Sequence, residues 1–213
     1  MSTDGRDREG SACGPVVGVT GPPGGGKTTV AGMLKDLGAE VVSLDKLGHQ
    51  ALRDPEVRER IRETFSTGVF QIMDGEVARE KLGRLVFRDP DELQRLNRIV
   101  HPRMAARVRQ SVDRWRAADP AGRAGALVID GALLIEMELA GLCDRVILVT
   151  APREVRLARL TASRGWTDED LAHRESAQLG DDERRARADA EIDGASDLEE
   201  MRRRVKALWE EWT

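Results

Sequence analysis

Gly21-Pro22-Pro23-Gly24-Gly25-Gly26-Lys27-Thr28 fits the pattern G-x-x-x-x-G-K-[ST] over its full length. A loop that wraps a triphosphate must point successive backbone N–H groups inward, at φ values closed to residues with a Cβ, and Gly24, Gly25 and Gly26 answer that need. Lys27 brings a mobile positive charge to the β- and γ-phosphates, Thr28 offers a hydroxyl to the Mg²⁺ that bridges them, and Thr29 completes the set assigned to the nucleotide. The helix that starts there adds its partial positive N-terminus. A glycine-rich turn kept for packing alone is the competing reading; the motif's full length and its flanks favour ATP or GTP binding.

Two acids stand where phosphoryl transfer needs them. Asp45 ends an apolar run, and a carboxylate at such a strand tip can take the proton of an acceptor hydroxyl or help place the metal. The same Asp could equally serve as the N-cap of a helix starting at Lys46. Asp130 ends Ala126-Leu127-Val128-Ile129, the pattern of a strand whose terminal acid steadies Mg²⁺ through water; against this, Asp130-Gly131 is also a good turn former. Arg156, Arg159 and Arg164 recur along one segment and Arg174 follows, enough cations to cover a transition state whose charge spreads over the equatorial oxygens. Taken singly, each arginine in so charged a chain reads as solvated surface.

The elements that must hold these residues are legible as an alternation. Residues 16–20 read as a buried strand, and Val30, Met33, Leu34 and Leu37 mark one face of the next helix, which Gly38 stops. Strands follow at 40–44, 126–129, 145–149 and, weakly, 190–192. Residues 54–118 are polar and helical in period, with turn signals at Asp74-Gly75, Asp89-Pro90 and His101-Pro102, and they predict a helical insert whose last helix carries the stripe Met104, Val108, Val112 and Trp115. A short helix is expected at 133–140, helices at 153–164 and 168–178 around Gly165, and a terminal helix at 198–212. Strands alternating with helices predict an α/β fold of three layers with a parallel sheet and a ligand crevice at the strand C-termini.

The 213 residues suffice for one core, so a single domain is expected over 16–213, with core segments 16–53 and 123–213, an acceptor-binding insert at 54–118, a lid near 153–180 and a disordered extension at 1–15. Apolar residues at 40% against 3% aromatics require an aliphatic core. A net charge of −4 leaves no field to gather nucleic acid or an anionic membrane. Cys13 and Cys143 form no CxxC motif, and no apolar run has the length of a membrane span, so a cytoplasmic monomer acting on a small molecule is expected.

The chain resembles the bacterial dephospho-coenzyme A kinases. The likeness runs from Val17-Gly18-Val19-Thr20-Gly21 and Thr28-Thr29-Val30-Ala31 through Leu37-Gly38 and Asp45, and on through Arg79, Leu82, Val86-Phe87, Asp89-Pro90, Leu96-Asn97 and His101-Pro102. Leu133-Leu134-Ile135-Glu136, the segment Asp144 to Val149, Arg159-Leu160, Arg164, Gln178, Asp189 and Ile192-Asp193 continue it, so that it covers about residues 16–208. Ser43, His49, Ala132 and Gly194 depart from the family's usual Asp, Arg, Pro and Asn. The resemblance implies transfer of the γ-phosphate of ATP, with Mg²⁺, to the ribose 3′-hydroxyl of dephospho-CoA. It further implies Asp45 as the carboxylate at that hydroxyl, Arg159 and Arg164 as lid residues over the phosphates, and Arg79 and His101 in the acceptor site. The alternatives are a nucleoside or nucleoside monophosphate kinase of the same fold and a non-catalytic ATP-binding regulator; no Asn-Lys-x-Asp guanine motif is present.

Overall fold

The computed structural model describes residues 14–65, 67–71, 75–87, 89–119 and 124–213; the expected N-terminal extension lies almost wholly outside them, as does Asp74. Five strands, β1 (Val16–Thr20), β2 (Glu40–Ser43), β3 (Leu127–Asp130), β4 (Arg145–Thr150) and β5 (Ala190–Asp193), form one parallel sheet in the order β2-β3-β1-β4-β5. β1 is buried at every position, as the central strand of a sheet covered on both faces must be.

The period of two along the strands divides the core. Val17, Val19, Val128, Ile147 and Val149 face α1 (Lys27–Asp36) and α9 (Leu198–Trp212), meeting Val30, Leu34, Val205 and Leu208. Val16, Leu127, Ile129 and Val146 face the opposite layer, built around α2 (Leu44–Ala51), α3 (Pro55–Phe65), α4 (Arg79–Val86) and α5 (Pro90–Ala117). There α2, α3 and α4 all pack on α5. The segment expected as a lid holds α6 (Arg153–Arg164) and α7 (Asp168–Ser176), and α8 (Asp181–Arg185) follows it. Gly38 follows the C-cap of α1 at φ +107, the conformation expected of a helix stop.

Four expectations are corrected. β2 ends one residue early: the Ser43 side chain accepts the Lys46 N–H and caps α2, so Asp45 lies in the first turn of that helix, neither at a strand tip nor at its N-cap. β3 runs one residue later than expected and includes Asp130. Residues 132–138 form successive turns rather than a helix, Glu138 takes φ +57, and a 3-10 turn over Leu139–Leu142 follows.

His101-Pro102 is no turn. Asp89 caps α5 and Pro90 occupies its first turn, but the helix then runs for 28 residues straight through Pro102. An interior proline costs about 3 kcal/mol. Against that, α5 buries Ile99, Val100, Met104, Val108, Val112 and Trp115, each worth roughly 1.5–3 kcal/mol. Pro102 itself is exposed, so water can reach the carbonyl that it leaves without a donor.

Leu134 is fully buried where the turns after β3 meet β1. Leu134→Ala is expected to cost about 2–5 kcal/mol of unfolding free energy, measured by urea titration, with little change in the slope of the transition.

Candidate active site

The loop between β1 and α1 is built to expose its backbone. Gly26 serves as the N-cap of α1 at φ +104, a conformation that L side chains resist, and no side chain caps the helix. Its first N–H groups are therefore left for an anion. The Pro22 carbonyl accepts from Gly25 N–H at 3.1 Å and from Lys27 Nζ at 2.9 Å, holding the lysine folded over the loop. The turn after β5 presses on the same loop: a Cβ at Gly194 would lie 1.9 Å from the Gly25 carbonyl oxygen, and Gly194 N–H donates to Thr150 O at 2.6 Å. Glycine at position 194 is thus a packing requirement in this chain.

A cavity of about 730 Å³ opens over this loop. Its wall includes Gly24, Gly26, Lys27, Thr28 and Thr29 on one side, Asp45 and Asp130 on the floor side of the sheet, and Arg159 and Arg164 from α6. The order of the sheet puts β3 between β1 and β2, so Asp130 lies between the phosphate loop and Asp45. Burial pushes the Lys27 ammonium down to about 8, while Asp130 and Asp45 pull it back up and Arg184 and Arg164 lower it further. Burial also raises the Asp130 carboxyl; Lys27 opposes that shift and Asp45 adds to it. The three groups form one electrostatic unit, in which Asp130 and Asp45 act on Lys27 while Lys27 and Asp45 act on Asp130.

The arginines divide by role. Arg156 is buried, donating to Ala151 O at 3.0 Å and pairing with Glu175 at 2.6 Å, so it fastens α6 to α7 and faces no ligand. Arg159 donates to Gly194 O at 2.8 Å and Gly24 O at 3.4 Å, tying the lid helix to the phosphate loop. Arg164, in the last turn of α6, reaches the cavity from the other end of that helix.

Three expected site residues do not line the cavity. Gly25 is buried behind the wall, where a Cβ would meet Val149 O at 2.7 Å. Arg79 is exposed at the first position of α4. His101 is half-buried inside α5; burial lowers its pKa and the nearby Glu136 charge opposes the shift. Glu136 is also the acceptor for Leu179 N–H at 3.0 Å and Arg184 at 3.3 Å, and Arg184 donates to Gln178 at 2.8 Å, so this buried polar group braces Gln178, which does line the cavity. Along α5 it is Leu93, Leu96 and Asn97 that line the cavity, and His101, one turn beyond Asn97, feels the Glu136 charge instead.

Phe87 entered the sequence reading only within a family pattern and Arg174 only within a cluster of cations, and Trp166 was passed over; all three are in the wall. A signal existed for Trp166, a large aromatic in a polar turn of a chain with 3% aromatics.

The family model described as dephospho-CoA kinase matches residues 15–200. A dephospho-CoA kinase of Streptomyces avermitilis is 39% identical over 196 residues, covering 91% of this chain and 91% of that protein. Among solved structures, TT1252 from Thermus thermophilus superposes with a TM-score of 0.75 at 32% identity, over 94% of this chain and 99% of that one. A shikimate kinase from Acinetobacter baumannii, at 17% identity and a TM-score of 0.52 over 91% of this chain and 90% of that one, shares the fold.

A triphosphate set against Lys27 favours the charged lysine, so nucleotide binds the protonated form more tightly. With the free group at about 8, affinity for a non-hydrolysable ATP analogue is expected to weaken as pH rises through that value, approaching tenfold per pH unit. Calorimetric titrations across this range measure it, and Lys27→Ala is expected to bind weakly with a flat profile.

Proposed function

The chain belongs to the dephospho-CoA kinase family, and from that premise we propose how its own residues move the γ-phosphate of ATP to the ribose 3′-hydroxyl of dephospho-CoA, giving CoA and ADP. The observation that carries the proposal is the convergence of Lys27, Asp45 and Asp130 on one cavity beside the glycine loop. The uncapped N-terminus of α1 and the Gly24–Gly26 backbone receive the phosphates, and Lys27 exchanges the Pro22 carbonyl for the β- and γ-oxygens. Asp45 projects from the first turn of α2 into the cavity, where it accepts the proton of the attacking hydroxyl. Arg164 meets the charge that spreads over the transferred group, while Arg159 holds the lid base to the loop.

Thr28 and Asp130 would hold Mg²⁺. They fit the ion: both are hard oxygen donors in the cavity wall, and burial leaves the Asp130 carboxylate short of a countercharge. Among the described residues no cluster of three acidic, His or Cys side chains stands ready for a metal, which suits an ion bound largely by phosphate and water. When bound, the ion supplies neutralisation of the β- and γ-phosphate charge.

The acceptor lies on the other side of Asp45, along the wall formed by Phe87, Leu93, Leu96 and Asn97. Leu93 and Leu96 provide apolar contact, and Asn97 a donor and an acceptor for the polar groups of a nucleotide.

ADP release coupled to a dehydrogenase assay tests both halves. Turnover is expected with dephospho-CoA and not with AMP; the reverse pattern would give the chain to the nucleoside monophosphate kinases. Asp45→Asn is expected to lower kcat about 10²–10⁴-fold with ATP affinity nearly unchanged, the range a positioned base contributes. An undiminished kcat would leave Asp45 only a helix-start acid.

A further inference from the structure

Arg174 is held by rings on both faces. Its Cζ lies 3.7 Å from the centroid of Phe87 and 4.1 Å from that of Trp166. Phe87 is the C-cap of α4 in the insert, Trp166 lies in the turn between α6 and α7, and Arg174 stands near the end of α7. The stack therefore joins the insert to the lid across the cavity mouth. On Trp166 a second cation, Arg164, lies 5.5 Å from the ring.

A guanidinium sandwiched in this way keeps only its edge for hydrogen bonds. Among the described residues no carboxylate, carbonyl or hydroxyl occupies that edge: Arg174 has ring contacts and no hydrogen bond or ion pair, and it lines the cavity. Its nearest ring is that of Phe87, which lines the cavity with Leu93, Leu96 and Asn97, the wall assigned above to the acceptor. Dephospho-CoA brings to that side a diphosphate, whose paired oxygens match the fork of N–H donors that arginine presents.

We propose that Phe87 and Trp166 are positioning residues that hold the Arg174 guanidinium flat between insert and lid, so that its edge grips the diphosphate of the acceptor. The inference rests on the acceptor assigned above. It assigns acceptor affinity to a lid turn. Removing one ring leaves the charge in place and frees its orientation, so the loss falls on acceptor binding rather than on the chemical step.

The test is steady-state kinetics with each substrate varied in turn. Trp166→Leu is expected to raise KM for dephospho-CoA about tenfold, within the span of a partly desolvated cation–π contact, while KM for ATP and kcat stay within about twofold. Trp166→Phe restores the ring and is expected to recover most of that loss. Arg174→Lys keeps the charge and loses the planar fork, and it too is expected to raise KM for dephospho-CoA; adding Trp166→Leu to it should then cost less than about twofold more, because the two side chains act as a unit.

An unchanged KM for dephospho-CoA in Trp166→Leu, an equal rise for both substrates, or full additivity with Arg174→Lys overturns the clamp. A wild-type chain that consumes no dephospho-CoA fells the acceptor assignment on which the clamp stands. Wild-type turnover with an indifferent Trp166→Leu fells the clamp alone.

Discussion

The site depends on a backbone kept bare at the start of a helix. A helix start often finds a side chain for its first N–H groups, and α1 has none: its N-cap is Gly26, and the loop before it makes its internal hydrogen bonds at Pro22. Such an end is tolerable only if the fold fixes it where an anion will arrive. Fixation comes from three directions, because β1 anchors the start of the loop, Gly194 packs against Gly25, and Arg159 bonds Gly24 and Gly194 together.

Placing a lysine in such a pocket has an electrostatic cost that explains its neighbours. Burial drives Lys27 toward its neutral form, and Asp130 and Asp45 keep it within reach of protonation at neutral pH. Asp130 is perturbed in turn, raised by burial and by Asp45 against the pull of Lys27. The preorganised polarity of the cavity is thus held ready at the expense of the free protein's stability, as sites that act on developing charge generally are.

Around that centre the helices do two kinds of work. Glu175 with Arg156 is a polar joint between α6 and α7, and Glu136 with Arg184 and Gln178 is one between the turns after β3 and the region of α8. The Phe87–Arg174–Trp166 stack is of a different kind, for it joins elements that are distant in the chain through dispersion and a quadrupole, with no directional bond to break. A contact of that sort can survive small displacements. The long α5 is the element on which α2, α3 and α4 pack, and the residues that it buries outweigh the proline within it.

Much of this was legible in the residues. The glycine loop with Lys27 and Thr28, the alternation of strands and helices, the helix stop at Gly38 and the spans of α6 and α9 all follow from chain-local chemistry: φ preference, period and capping. Local rules failed where packing outbid them. His101-Pro102 reads as a break, and only the apolar face that α5 buries shows why the helix continues. Asp45 reads as a strand tip, and only Ser43, capping α2, moves it into a helical turn. Which arginines meet the ligand was beyond the sequence, since Arg156, Arg159, Arg164 and Arg174 are chemically alike and differ in what lies across from them: a carboxylate, two carbonyls, the cavity, or a pair of aromatic rings. Neighbouring residues were enough to place a glycine loop of phosphate-binding pattern and to say where along the chain it stands, because a loop's backbone geometry is a local property. Which side chains share a cavity with that loop came from packing, because those contacts join residues far apart in the chain, and no local preference encodes them.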